Sequence, residues 1–154
     1  ADVFVVLRVF DPDGKEVTFQ GALDPRTPVG QGWLRASHRK LDPTLTKPYR
    51  PYHTHDEIQP LAPGEIYELD VEIWPTCIVV PRGYRVALTV RGKDYEFGGP
   101  PIVIPHAFYT FTGVGPFFHT HPQDRPAEIF ETGNTLHFGA TRRPFLLLPV
   151  IPPK

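Results

Sequence analysis

Twenty prolines and 13 glycines punctuate 154 residues, and that density bounds what the chain can fold into. Proline breaks helix interiors and glycine marks turns, so a set of long helices is excluded and short extended segments with frequent turns are favoured. At 17.4 kDa the chain has the size of one domain. Its 16 Lys and Arg balance 17 Asp and Glu for a net charge of -1. That balance gives no electrostatic reason to expect nucleic acid or an anionic membrane as a partner. No apolar run approaches the roughly 20 residues of a bilayer span. Cys77 is the only cysteine, which excludes an intrachain disulfide and a zinc site built on cysteines.

The chain contains no Met and opens at Ala1 directly into Val3-Phe4-Val5-Val6-Leu7. No charged n-region or cleavage site precedes that run, so it is not a signal peptide. It reads as a piece of a longer polypeptide, with the cytoplasm as the favoured location.

The segments read as strands. Val3 to Phe10 is an apolar run broken only by Arg8, and Asp11-Pro12-Asp13-Gly14 supplies a turn before extended chain resumes over Lys15 to Gln20. In Glu65 to Trp74, Tyr67, Leu69, Val71 and Ile73 alternate with Glu68, Asp70 and Glu72, the period of a half-buried strand. Arg85 to Arg91 repeats that period, with Val86, Leu88 and Val90 expected inward, after a turn at Pro81-Arg82-Gly83-Tyr84. Further strands are expected at Trp33 to Arg39, Ile78 to Val80, Ile102 to Ile104, Tyr109 to Thr112, Thr135 to Phe138 and Phe145 to Val150. Leu41 to Pro63 is polar and carries five prolines, so it reads as a long ordered loop. The sum is an all-β chain, a jelly-roll β-sandwich by its spacing of strands and turns.

Candidates for chemistry are few. Ser37 is the only serine; its context, Ala36-Ser37-His38-Arg39, is not a nucleophile elbow. Successive strand residues face opposite ways, which separates Ser37 from His38. Cys77, in Thr76-Cys77-Ile78-Val79-Val80, reads as a small packing residue. His53-Thr54-His55 and His119-Thr120-His121 are pairs whose spacing suits chelation on a strand. With Gly113, the second pair looks like the opening of a cupin motif, but Arg125 and Pro126 stand where that motif needs Glu. A cupin-like metalloenzyme using His119 and His121 is therefore the alternative enzyme reading. Trp33 or Trp74 as a sugar-stacking platform is the alternative binding-module reading.

Several stretches carry a resemblance by their order. They are Val5-Val6-Leu7-Arg8-Val9 with Asp11-Pro12-Asp13-Gly14, then Gly32-Trp33-Leu34-Arg35-Ala36-Ser37-His38-Arg39, then Pro51-Tyr52-His53 and Pro63-Gly64-Glu65. Leu69-Asp70-Val71-Glu72-Ile73-Trp74-Pro75-Thr76 and Leu146-Leu147-Leu148-Pro149-Val150-Ile151-Pro152 complete the set. Together they resemble the C-terminal non-catalytic jelly-roll domain, galactose-binding-like in fold, of the X-prolyl dipeptidyl peptidase and cocaine-esterase (CocE/NonD) family of serine hydrolases. Cys77 and the stretch from Lys93 to Phe118 depart from the pattern.

The resemblance implies that the Ser-Asp-His triad belongs to a separate α/β-hydrolase domain of the same parent chain. This chain then carries no catalytic residue, no cofactor and no metal. It implies that the first strands of the jelly roll are missing here. The domain would buttress the catalytic domain and enclose its substrate pocket, with a possible homo-oligomer. Gly32, Trp33, Arg35, His38 and Trp74 are the family-motif residues, given structural or interdomain roles; Arg35 is read first as a solvated strand arginine, with a carboxylate partner across the domain interface as the alternative. The parent would act on an ester, an amide or an X-Pro peptide.

Overall fold

A computed structural model describes residues 1–100, 102, 110–115 and 118–152. Its regular elements are β1 (Asp2–Phe10), β2 (Glu16–Val17), β3 (Gly30–Arg35), a 3-10 turn at Ala36–His38, β4 (Arg85–Arg91) and a single helical turn, α1 (Ala127–Phe130). The four strands form one antiparallel sheet in which β1 pairs with all of the others. Because Phe4 to Leu7 pair with both β3 and β4, those strands lie on opposite edges of β1. Val9 and Phe10 pair with both β2 and β4, so β2 shares an edge with β3.

β1 is the centre of the molecule. Phe4, Val5, Val6, Leu7 and Val9 are all buried, so both faces of the strand are covered. That explains a continuous apolar run where a half-exposed strand would alternate. The expected turns form as well. Asp11 accepts the Lys15 backbone N–H on Oδ1 at 2.8 Å, and Gly14 takes a φ of 85°. Tyr84 donates its N–H to the Pro81 carbonyl at 3.1 Å, with Gly83 at a φ of 90°.

Other expectations are corrected. The strand expected over Trp33 to Arg39 begins earlier, at Gly30, and ends at Arg35 where the chain tightens into the 3-10 turn. Lys15 to Gln20 contributes only Glu16 and Val17, plus a bridge from Phe19 to Thr27. Glu65 to Trp74, Ile78 to Val80, Thr135 to Phe138 and Phe145 to Val150 form no strand. The physical reason is that no neighbouring strand offers them a ladder; period-two patterning specifies a face and says nothing of a partner. Of the two remaining stretches, the described residues include a bridge between Ile102 and Phe111. Ile104 and Tyr109 lie outside the described residues.

On one face, Val5, Leu7 and Val9 align with Val90, Leu88 and Val86 of β4 and with Gly32 and Gly30 of β3. The chain from Glu72 to Thr76 crosses the glycines, joined to β3 by the Trp74 N–H on the Gln31 carbonyl at 3.0 Å. Ile73, Ile78 and Tyr84 pack on Leu7, Val9 and Val29 there. The cover does not reach β4: Val86, Leu88 and Val90, expected inward, are 45%, 40% and 39% exposed.

The opposite face carries Phe4, Val6 and Arg8 beside Trp33 and Gln31. Loops cover it, held by buried carboxylates. Asp24 accepts the backbone N–H groups of Gly113 at 2.7 Å and Gly115 at 3.0 Å on one oxygen and that of Arg26 on the other. Gly113, at a φ of 119°, could carry no side chain, since a Cβ would fall 2.3 Å from the Tyr95 ring.

Candidate functional site

Arg35 leaves the end of β3 with its guanidinium between two carboxylates. Nε and Nη2 donate to Asp2 at 2.9 and 3.1 Å, while Nη1 and Nη2 donate to Asp124 at 2.8 Å each. Those bonds hold the guanidinium protonated well above its ordinary range, with the Asp2 bond the larger cause. They also lower the Asp124 carboxyl. Arg125 approaches the same Asp2 at 3.1 Å and lies over the rings of Phe4 and Phe130. Asp2, Arg35 and Arg125 thus fasten the 119–130 segment to the sheet. Both carboxylates that Arg35 grips, Asp2 and Asp124, belong to its own chain.

His119 and Trp33 meet beside that fastening. The buried Asp94 carboxylate accepts the His119 backbone N–H at 2.7 Å and bonds its Nδ1 at 2.8 Å. The imidazole lies 4.7 Å from the Trp33 ring and 5.4 Å from Phe4, and Trp33 lies 4.9 Å from Trp74. These rings surround a cavity of about 550 Å³. Neither the sequence spacing of the tryptophans nor the His119-x-His121 pattern reveals it. Asp94, the residue that holds the imidazole, was missed, because its role depends on chain 25 positions away.

The two histidine pairs behave differently from chelating pairs. His119 points its Nδ1 at Asp94, whereas His121 accepts the Gln123 N–H. His53 sets its Nε2 on the Asp70 carbonyl at 2.9 Å, and the Nδ1 atoms of His38 and His55 lie 3.3 Å apart. Among the described residues, no three His, Cys, Asp or Glu side chains converge on a point that would hold a metal. Ser37 sits in the 3-10 turn, where its carbonyl accepts the Gln59 N–H, and the neighbouring His38 ring turns to His55. Cys77 is exposed rather than packed inside, a correction to its reading as a small core residue. Among the described residues, no helix is long and apolar enough to cross a membrane.

Comparison with known proteins finds partial matches to hydrolases. A serine esterase by name from Mycobacterium bovis is 36% identical over 90 residues, covering 53% of this chain and 14% of that protein. A protein of Streptomyces avermitilis named for Xaa-Pro dipeptidyl-peptidase activity is 41% identical over 46 residues, 30% of this chain and 7% of its own length. The crystal structure of a CocE/NonD family hydrolase from Staphylococcus aureus superposes with a TM-score of 0.60 at 29% identity, over 64% of this chain and 18% of that one. The chain therefore spans a small fraction of the relatives it matches. The X-Pro dipeptidyl-peptidase C-terminal non-catalytic domain matches residues 1–146, and the chain belongs to that family.

Proposed function

We propose that this chain is one accessory domain of a larger serine acyl-hydrolase, built as a jelly-roll sandwich. It buttresses an α/β-hydrolase catalytic domain and forms one wall of the substrate pocket. The family match over residues 1–146 carries this reading. The unfinished cover over Val86, Leu88 and Val90 supports it, since an apolar strand face of that kind is where another layer of structure belongs. Gly32, Trp33, Arg35, His38 and Trp74 act as framework and interdomain residues: Gly32 admits the crossing chain, Arg35 and His38 fasten loops, and the two tryptophans stay partly exposed beside the cavity. The names of the relatives support ester or X-Pro peptide cleavage by the parent.

The test is hydrolysis of an aryl ester and of an X-Pro anilide by this chain and by the native polypeptide that contains it. The chain alone is expected to give no turnover above buffer. The longer polypeptide is expected to turn over one of the two substrates and to lose that activity to a serine-directed phosphonate. Turnover by the chain alone that disappears in Ser37→Ala would overturn the reading.

A further inference from the structure

The cavity beside β3 has the chemistry of a ligand site, independently of any catalytic domain. Its walls are rings: Phe4, Trp33 and Trp74 with Tyr95 and Phe118. At about 550 Å³ it has the size of small-molecule pockets. Besides the rings, three polar residues line it: Gln31, His119 and the Asp94 that holds His119. Among the described residues neither the Gln31 carboxamide nor His119 Nε2 has a hydrogen-bond partner.

His119 is fixed by Asp94 at two points. Its backbone N–H already ties the segment to Asp94, and the second Asp94 oxygen orients the ring through Nδ1. With Nδ1–H donating to the carboxylate, neutral His119 presents Nε2 as an acceptor. We propose that this cavity binds a small uncharged phenol. The ring stacks among Trp33, Trp74 and Phe118, and the hydroxyl donates to His119 Nε2 while accepting from the Gln31 amide. A carboxylate ligand would be repelled by Asp94 behind the imidazole. A purely aliphatic ligand would leave the stacking faces and both polar groups unused.

The test uses 4-methylphenol, with toluene as the matched probe lacking a hydroxyl. Trp33 and Trp74 are the chain's only tryptophans and both line the cavity, so emission excited beyond tyrosine absorption reports on this site alone. A saturable emission change with 4-methylphenol is expected, with affinity about tenfold above toluene, as one good hydrogen bond implies. His119→Gln is expected to reduce 4-methylphenol to the affinity of toluene, and Val114→Phe, which fills the cavity, to abolish both responses. Equal affinity for the two probes, no saturable change in the folded wild-type chain, or an unchanged response in folded Val114→Phe would overturn the proposal. Should Val114→Phe fail to fold, nuclear Overhauser contacts between the phenol and the Trp33 indole decide it in the wild type, and their absence overturns it.

Discussion

Arg35 grips Asp124 across 89 positions of sequence with two parallel hydrogen bonds of 2.8 Å. Its remaining hydrogen bonds hold Asp2 at the start of the central strand. A planar fork can serve two carboxylates at once, and a lysine ammonium cannot reproduce that geometry. Arg35→Lys is therefore expected to lower unfolding stability by about 2–3 kcal/mol, chiefly by leaving the buried Asp2 carboxylate under-bonded. Urea denaturation checks this, and a loss within error of zero would refute it.

The same contact carries an acid dependence. Hydrogen bonds from Arg35 depress the Asp124 carboxyl below its ordinary 3.8. A depressed native pKa contributes stability that is complete above 3.8 and is lost as the pH falls through the native value. The stability difference between wild type and Asp124→Asn should therefore be constant above that pH and shrink below it. A difference that grows on acidification would show that another group controls the contact.

Gly32 is expected to tolerate no side chain. A Cβ there would lie 1.8 Å from the Glu72 carbonyl oxygen and 3.2 Å from the Ile73 Cα, both backbone atoms. Gly32→Ala must push the crossing chain away from β3, at a cost of about 3 kcal/mol or more. Gly30→Ala meets the Ile73 Cγ2 at 3.1 Å, a side-chain atom that can yield, so its loss should be smaller. Thermal denaturation of both variants tests that order, and equal losses would contradict it.

Tyr95 titrates late because it is buried, with 3% exposure, and its hydroxyl donates to Glu16 Oε1 at 2.9 Å. Burial is the larger cause of the raised value. A group whose native pKa is raised supports the fold fully below its ordinary value, here 10.0, and loses that support as the pH rises toward the native value. Tyr95→Phe should cost about 1–2 kcal/mol at neutral pH. The gap between wild type and variant should narrow above pH 10.0, as read by denaturation along an alkaline series.

The half-exposed Val86, Leu88 and Val90 of β4 lie beside an edge that pairs with no described strand. Open edges with apolar faces recruit further chains. The isolated chain is expected to dimerise, exchange strands or aggregate, and Leu88→Glu to reduce that association. Sedimentation velocity measures both. A wild-type chain that is cleanly monomeric and unfolds cooperatively would end the idea.

Much of the sheet was legible from local chemistry. The Val3 to Leu7 run, the Asp11 to Gly14 turn and the bounds of Arg85 to Arg91 all follow from side-chain type and spacing, because turn geometry and strand propensity act over a few residues. Tyr67 to Ile73 shows the limit. Its alternation is the cleanest in the chain, yet the segment joins no ladder, because a strand exists only where another backbone supplies donors and acceptors.

The sequence by itself determined an all-β chain, its central strand, its main turns and its family. Tertiary structure alone decided which carboxylates became anchors: Asp2 for Arg35, Asp24 for Gly113 and Gly115, Asp94 for His119. It also decided that the apolar side of β4 stays half exposed and that rings from five separate segments line one half-open cavity. The physical reason is range. Propensity and periodicity are properties of neighbouring residues, whereas burial and the bonds that compensate it are settled by whatever distant chain arrives.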